Sequence, residues 1–219
     1  MHYFKDRRDA GRKLAERLVD YTARSDVLIL ALPRGGVPVG DEISMALKAP
    51  LDIFLVRKLG VPSHPEYAMG AIASGGVRVL NEDVIQALGI SDSDIALAAA
   101  EEERELNRRQ RTYRQGAGER QNTVSGQTII LVDDGMATGA TTEAAVIAVR
   151  SQDPAVLILA VPVASVDACN KLREKVDELI TVVTPEPFGA VGAWYEDFSQ
   201  TTDEEVIDIL SKAKRRVSR

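Results

Sequence analysis

The sequence predicts an α/β protein built on a doubly wound parallel sheet, with a hairpin and helical subdomain inserted into it. Three observations carry this expectation. Continuous apolar runs recur at residues 27–32, 51–56, 128–132, 155–161 and 179–184, as in strands buried on both faces. Amphipathic stretches alternate with those runs. A polar stretch holding Gly60, Pro62 and Pro65, followed by a long helical one, interrupts the alternation. At 219 residues the chain has the size of a single domain, 1–219.

Residues 6–21 read as an amphipathic helix, with Ala10, Leu14, Leu18 and Tyr21 on one face and Arg7, Arg8, Arg12 and Arg17 elsewhere. The first apolar run ends in Pro33-Arg34-Gly35-Gly36, and a helix over 37–47 leads to the second run, giving a βαβ unit. Residues 58–67 read as a loop. Residues 69–73 and 77–80 flank Ser74-Gly75-Gly76 as a hairpin. Residues 81–121 are mostly helical, with Glu105 and Arg109 as an i,i+4 pair and Gly116 and Gly118 at the end.

Beyond residue 127 the alternation resumes: strand 128–132, helix 138–150, strand 155–161, helix 165–175 with Ser165 as N-cap, strand 179–184 and a closing helix 201–212. The segment 60–121 is therefore expected as a flexible loop plus an inserted helical subdomain. The basic tail, Lys212, Lys214, Arg215, Arg216 and Arg219, reads as favourable charge at a helix C-terminus.

Composition excludes several classes. The formal net charge is −6, which argues against a broad electrostatic grip on nucleic acid. It leaves room for a local phosphate site. One cysteine and two histidines, His2 and His64, exclude an internal disulfide framework and multi-Cys or multi-His metal centres. No apolar run approaches the ~18 residues of a membrane span, and no signal peptide is evident. The expectation is a soluble, cytoplasmic, reduced protein.

The sharpest chemical signal spans residues 129–142. A buried strand ends in Asp133-Asp134, and Gly135-Met136-Ala137-Thr138-Gly139-Ala140-Thr141-Thr142 opens a helix. Backbone amides at that helix N-terminus, threonine hydroxyls and the freedom of Gly139 form a cradle for a phosphomonoester. It is neither the Gly-x-x-x-x-Gly-Lys-Ser/Thr nor the Gly-x-Gly-x-x-Gly loop. Two carboxylates beside it suit two vicinal hydroxyls of a ribose 5-phosphate, and they favour cationic charge developing at C1. The same residues also fit an ordinary Asp-Asp-Gly turn at a strand end.

Four apolar residues, two acids and then x-x-x-Thr-Gly-x-Thr resemble the phosphoribosyl-pyrophosphate (PRPP) motif of type I phosphoribosyltransferases, and the resemblance covers about residues 25–200. It implies a type I phosphoribosyltransferase-like core. It puts Asp133 and Asp134 on the ribose hydroxyls with Mg2+ nearby, and Ala137 to Thr142 on the 5′-phosphate, with Gly135 and Met136 in the same PRPP loop. Arg34-Gly35-Gly36 resembles the family's pyrophosphate loop, where a strained or cis peptide is expected at Arg34–Gly35. Arg57 and Lys58 match basic residues near pyrophosphate. Residues 60–67 would be the mobile catalytic loop, with His64, Glu66 and Tyr67 as candidates for acid, base or leaving-group contacts.

The aromatic cluster at 187–198 resembles the base-stacking segment of hypoxanthine-type enzymes, with Phe188 stacking and Trp194 and Tyr195 beside it. Residues 185–219 would complete the hood over the site. Ala137 stands where those enzymes carry an Asp, so a base deprotonated by that Asp is not implied. The chain looks most like the bacterial "predicted phosphoribosyltransferase" branch, for which the acceptor is left open. The expected partners are PRPP, pyrophosphate and a nucleobase-like acceptor, with Mg2+ as cofactor, no membrane and a homodimer as is usual for the family. A non-catalytic PRPP or nucleotide sensor is the alternative, and a hydrolase or interaction protein on this fold is a third reading.

Overall fold

The computed structural model describes residues 3–62, 64–114 and 123–217. In chain order its elements are α1 (Arg7–Ala15), β1 (Val27–Ala31), α2 (Gly36–Leu47), β2 (Leu51–Ile53), β3 (Val56–Val61), β4 (His64–Ala73), β5 (Val77–Leu80), α3 (Glu82–Leu88) and α4 (Asp92–Arg114). They continue with β6 (Thr128–Val132), α5 (Ala140–Arg150), β7 (Val156–Val163), α6 (Val166–Arg173), β8 (Glu178–Val183) and α7 (Asp203–Val217). Short 3-10 turns cover Val19–Tyr21 and Val191–Trp194.

The central sheet has the order β2-β1-β6-β7-β8, and every pair in it is parallel. Strand residues divide between its faces with period two. Val27, Ile29, Ala31, Ile130, Val132, Ile158 and Ala160 pack with α1, α2 and α7. Leu28, Leu30, Ile129, Leu131, Leu157, Leu159 and Val161 pack with α5 and α6. Each buried aliphatic side chain contributes roughly 1.5–3 kcal/mol. Because both faces are apolar, it is packing shape and the parallel pairing that fix the register. The doubly wound expectation therefore holds.

The middle of the chain differs from its reading as a loop. Residues 56–61 and 64–73 form the first two strands of an antiparallel sheet ordered β3-β4-β5. The loop signals Gly60 and Pro62 fall at a register irregularity and in the connecting turn. Pro65 lies in the stretch of β4 beyond the reach of β5, where a missing N–H is tolerated. The apolar run 51–56 is also two elements. Its chain leaves β2 after Ile53, the Phe54 amide bonds Ala31 O at 3.0 Å, and β3 starts at Val56.

The helical stretch that follows is two helices. Asn81 caps α3 by accepting from Val84 N, and Gly89, at φ 62°, ends it. The expected end at Gly116 and Gly118 lies outside the described residues. Helix α4 lays Ile95, Ala99, Leu106 and Tyr113 on the same core as Leu59, Val61, Met69 and Ile72 of the antiparallel sheet. Among the described residues no helix is long and apolar enough to cross a membrane.

Ser165 is the N-cap of α6, as the sequence predicts: its Oγ accepts from Ala168 N at 3.1 Å. The same hydroxyl donates to Ala137 O at 2.6 Å, tying the turn after β6 to the end of β7. Ser165→Ala should therefore lower unfolding free energy by about 1–2 kcal/mol, the size of a lost cap plus a neutral hydrogen bond. Urea denaturation measures this, and an unchanged midpoint would contradict the double role.

Candidate functional site

The buried strand β6 carries the chain into Asp133 and Asp134, both half-buried. Asp134 N donates to Asp133 Oδ1 at 2.9 Å. Burial pushes the Asp133 carboxyl well above the usual carboxylate range, and the neighbouring Asp134 charge pushes it further. Burial also raises Asp134, while the Arg7 guanidinium opposes that rise.

The sequence pattern puts Arg7 off the apolar face of the first helix. It is in fact 12% exposed, and its Nε donates to Asp134 Oδ2 at 2.8 Å. Arg7 precedes Ala10 by three positions and Leu14 by seven, so extending the apolar stripe one turn toward the N-terminus would have found it.

Two glycines let the first βα turn press against this acidic strand end. A Cβ on Gly35 would sit 1.9 Å from Asp134 Oδ2, and one on Gly36 2.7 Å from Val132 O. The cis peptide expected at Arg34–Gly35 is at Pro33–Arg34.

The loop that follows is held from behind. Met136 is buried, its amide donates to Val163 O at 2.9 Å, and its carbonyl accepts from Ser165 N. Met136 therefore anchors the loop and has no amide to offer a ligand. Gly139 has φ 73° as the N-cap of α5. The helix geometry leaves the amides of Ala140, Thr141 and Thr142 without intrahelical acceptors, whereas Glu143 N already bonds Gly139 O. The Ala140 amide has only a long contact, 3.4 Å, to Thr138 Oγ1. Ala137, Thr138, Ala140 and Thr141 are exposed. Thr142 is buried at 2%, so of its groups the amide is the one that suits an anion.

The basic candidates separate. Arg57 Nε donates to Glu102 Oε2 of α4 at 2.5 Å. Arg34 lies 3.6 Å from Asp203 Oδ1, an oxygen that also accepts from the Tyr113 hydroxyl at 2.8 Å. Leu32, Pro33, Arg57, Thr141 and the α4 residues Leu106 and Arg109 surround a small cavity of about 30 Å³.

Lys58 follows Arg57 on a strand and so points to the other face. It lines a separate cleft of about 560 Å³ with Tyr67, Glu143, Lys171 and Lys175, and is not gathered with Arg57. His64 is exposed at the start of β4, its ring edge-on to Tyr67 at 6.1 Å.

The aromatic segment is partly structural. Tyr195 is 2% exposed, lies between Phe4 and Phe198, and donates its hydroxyl to Asp134 O at 2.5 Å. It supports the acidic turn from beneath, so it is not open to stack on a base. Phe188 and Trp194 are half-buried, with Trp194 Nε1 donating to Phe188 O at 3.0 Å.

Among the described residues no group of three or more His, Cys, Asp or Glu is arranged around a metal position. The two carboxylates nevertheless suit a hard cation that keeps most of its waters. Their mutual repulsion in a half-buried turn is what such a charge relieves.

The family model described as phosphoribosyl transferase domain matches residues 4–197. Rv0571c of Mycobacterium tuberculosis H37Rv, which carries a provisional phosphoribosyl transferase name, is 42% identical over 215 residues, 98% of this chain. This chain spans about half, 48%, of that relative's length. The crystal structure of TT1426 from Thermus thermophilus superposes with a TM-score of 0.87 at 40% identity, covering 97% of this chain and 99% of that one. A hypothetical protein from Neisseria gonorrhoeae, solved with bound ppGpp, shares the fold at a TM-score of 0.50 and 13% identity, over 98% of this chain and 95% of its own.

The raised Asp133 carboxyl sets a pH dependence. Between the unfolded value near ~4 and the raised native value the folded state holds more protons, so stability falls as pH rises through that window. Asp133→Asn keeps the oxygen that accepts Asp134 N and removes the charge. It should exceed the wild type in stability at pH 8 by about 1 kcal/mol or more, with the gap closing toward pH 4. Urea denaturation at the two pH values decides this, and equal stability at pH 8 would contradict the buried-charge account.

Proposed function

The chain belongs to the phosphoribosyl transferase domain family, and on that premise we propose that it binds Mg2+–PRPP and transfers the ribosyl 5-phosphate to a nitrogen of a nucleobase-like acceptor, releasing pyrophosphate. One observation carries the reading: a half-buried acidic pair and a turn of amides without intrahelical acceptors share the junction of β6 and α5. The amides suit the 5′-phosphate and the carboxylates suit the 2′- and 3′-hydroxyls.

In this reading the bond from C1 to the pyrophosphate oxygen breaks and its electron pair leaves with pyrophosphate. The acceptor nitrogen supplies its lone pair to C1 and gives up its proton to solvent. Negative charge on the acidic pair stabilises the oxocarbenium-like centre, and Arg34 and Arg57 offset charge on the leaving group. Asp133 and Asp134 would hold Mg2+, directly or through its waters, and the ion, when bound, neutralises pyrophosphate oxygens. The ribbon β3–β4, carrying His64, would cover the site and exclude water. Phe188 and Trp194 are the candidates to meet the acceptor. A cytoplasmic location and a homodimer belong to the same proposal.

The sensor alternative draws its support from the basic tail, and the geometry does not favour that use. Lys212 pairs with Asp208 at 2.6 Å, and Arg216 pairs with Asp41 of α2.

Calorimetric titration with PRPP should give Mg2+-dependent binding, and no binding at millimolar PRPP would overturn the proposal. In a nucleobase panel followed by pyrophosphate release, Asp134→Asn should lose about 10²–10³-fold in turnover. Wild-type-like turnover would remove Asp134 from its role. Glu102→Gln frees Arg57 and should tighten binding of inorganic pyrophosphate about threefold, the scale of a partly exposed ion pair. Unchanged affinity would show that Arg57 does not meet this ligand.

A further inference from the structure

We propose that Arg7 is the positioning residue of the ribose site: it holds Asp134 by one oxygen and presents the other to the sugar. The inference rests on the reading of the site as a ribose 5-phosphate site.

The geometry around Asp134 is one-sided. Its Oδ2 receives Arg7 Nε at 2.8 Å and lies against Gly35, where no side chain fits. Asp133 is engaged through Oδ1 by the Asp134 amide. In this proposal the other oxygens, Oδ2 of Asp133 and Oδ1 of Asp134, meet the sugar. Two carboxylates each offering one oxygen match a pair of vicinal hydroxyls, provided neither carboxylate rotates. The Arg7 bond is the contact that stops Asp134 from rotating.

Arg7 is itself fixed on three sides. Besides Asp134, its Nη1 donates to Ser199 O at 2.6 Å, and its guanidinium carbon lies 3.9 Å from the centre of the Phe198 ring. A planar fork can satisfy these partners together, and a lysine ammonium cannot. Anchoring of α1 does not require this pair. Asp6 caps that helix, and Arg8 binds Asp41 and Glu42 of α2. Leu14 is fully buried, and Phe4 is hydrogen-bonded to Trp194 and Glu196. An arginine that reaches a site carboxylate 127 positions away serves that carboxylate.

The test uses the full chain, two probes and two variants. Ribose 5-phosphate needs both the acidic pair and the amide loop, whereas inorganic phosphate needs the loop alone. Calorimetry should show ribose 5-phosphate weakened about tenfold in Arg7→Met and about threefold in Arg7→Lys, with inorganic phosphate within about twofold of wild type in both. Melting curves accompany both variants, and Arg7→Lys retains the charge and much of the packing should Arg7→Met unfold. Unchanged ribose 5-phosphate affinity overturns the inference alone. An equal loss for both probes also overturns it, because that is what general loosening would do. A wild type that binds inorganic phosphate but not ribose 5-phosphate overturns the ribose reading and the inference with it.

Discussion

Two carboxylates adjacent in the chain, half-buried at the end of a strand with apolar neighbours on both faces, are the constraint around which this molecule is arranged. Left to themselves they repel and resist ionisation. The surrounding structure answers with specific concessions. The first βα turn gives up side chains at positions 35 and 36 so that its backbone can lie against Val132 and Asp134. The N-terminal helix sends Arg7 into the interior, and the C-terminal segment sends the Tyr195 hydroxyl to the Asp134 carbonyl. Segments from both ends of the chain thus converge on one turn. An acidic pair kept at this electrostatic cost points to use, because a strand can end in a solvated turn at far less.

Helix α4 also approaches this region. Helix α4 supplies Glu102 to Arg57, Tyr113 to the carboxylate that faces Arg34, and Leu106 and Arg109 to the wall of the small cavity beside Thr141. Both arginines that would meet a diphosphate already have carboxylate neighbours, Glu102 for Arg57 and Asp203 for Arg34. The part of the chain that most departs from a plain βα alternation therefore also packs against the two arginines.

Legibility in the sequence follows the physics of each segment. Strands β1, β6 and β7 are readable because burial on both faces demands unbroken apolar runs, and the β6–α5 turn because acids and glycine stand where the run stops. The Ser165 cap is readable because capping is local. The β3–β4 ribbon is not, since Gly60, Pro62 and Pro65 are loop signals that the sheet accommodates at an irregularity, a turn and an unpaired stretch. Arg57 and Lys58 look like one basic pair until strand alternation sends them to different faces. The helix stripe can mark Arg7 as inward-facing and the aromatic cluster can mark Tyr195, but their shared partner Asp134 lies 127 and 61 residues away, and no local pattern names it.

In the proposed reading the acidic pair and the amide turn together form one ribose 5-phosphate site. A crystal structure of the protein with ribose 5-phosphate and Mg2+ tests it most directly. The phosphate is expected on the amides between Ala137 and Thr142, and the sugar hydroxyls on Asp133 Oδ2 and Asp134 Oδ1. A ligand held instead in the cleft beside Lys58, Lys171 and Lys175, with the acidic pair untouched, would contradict it.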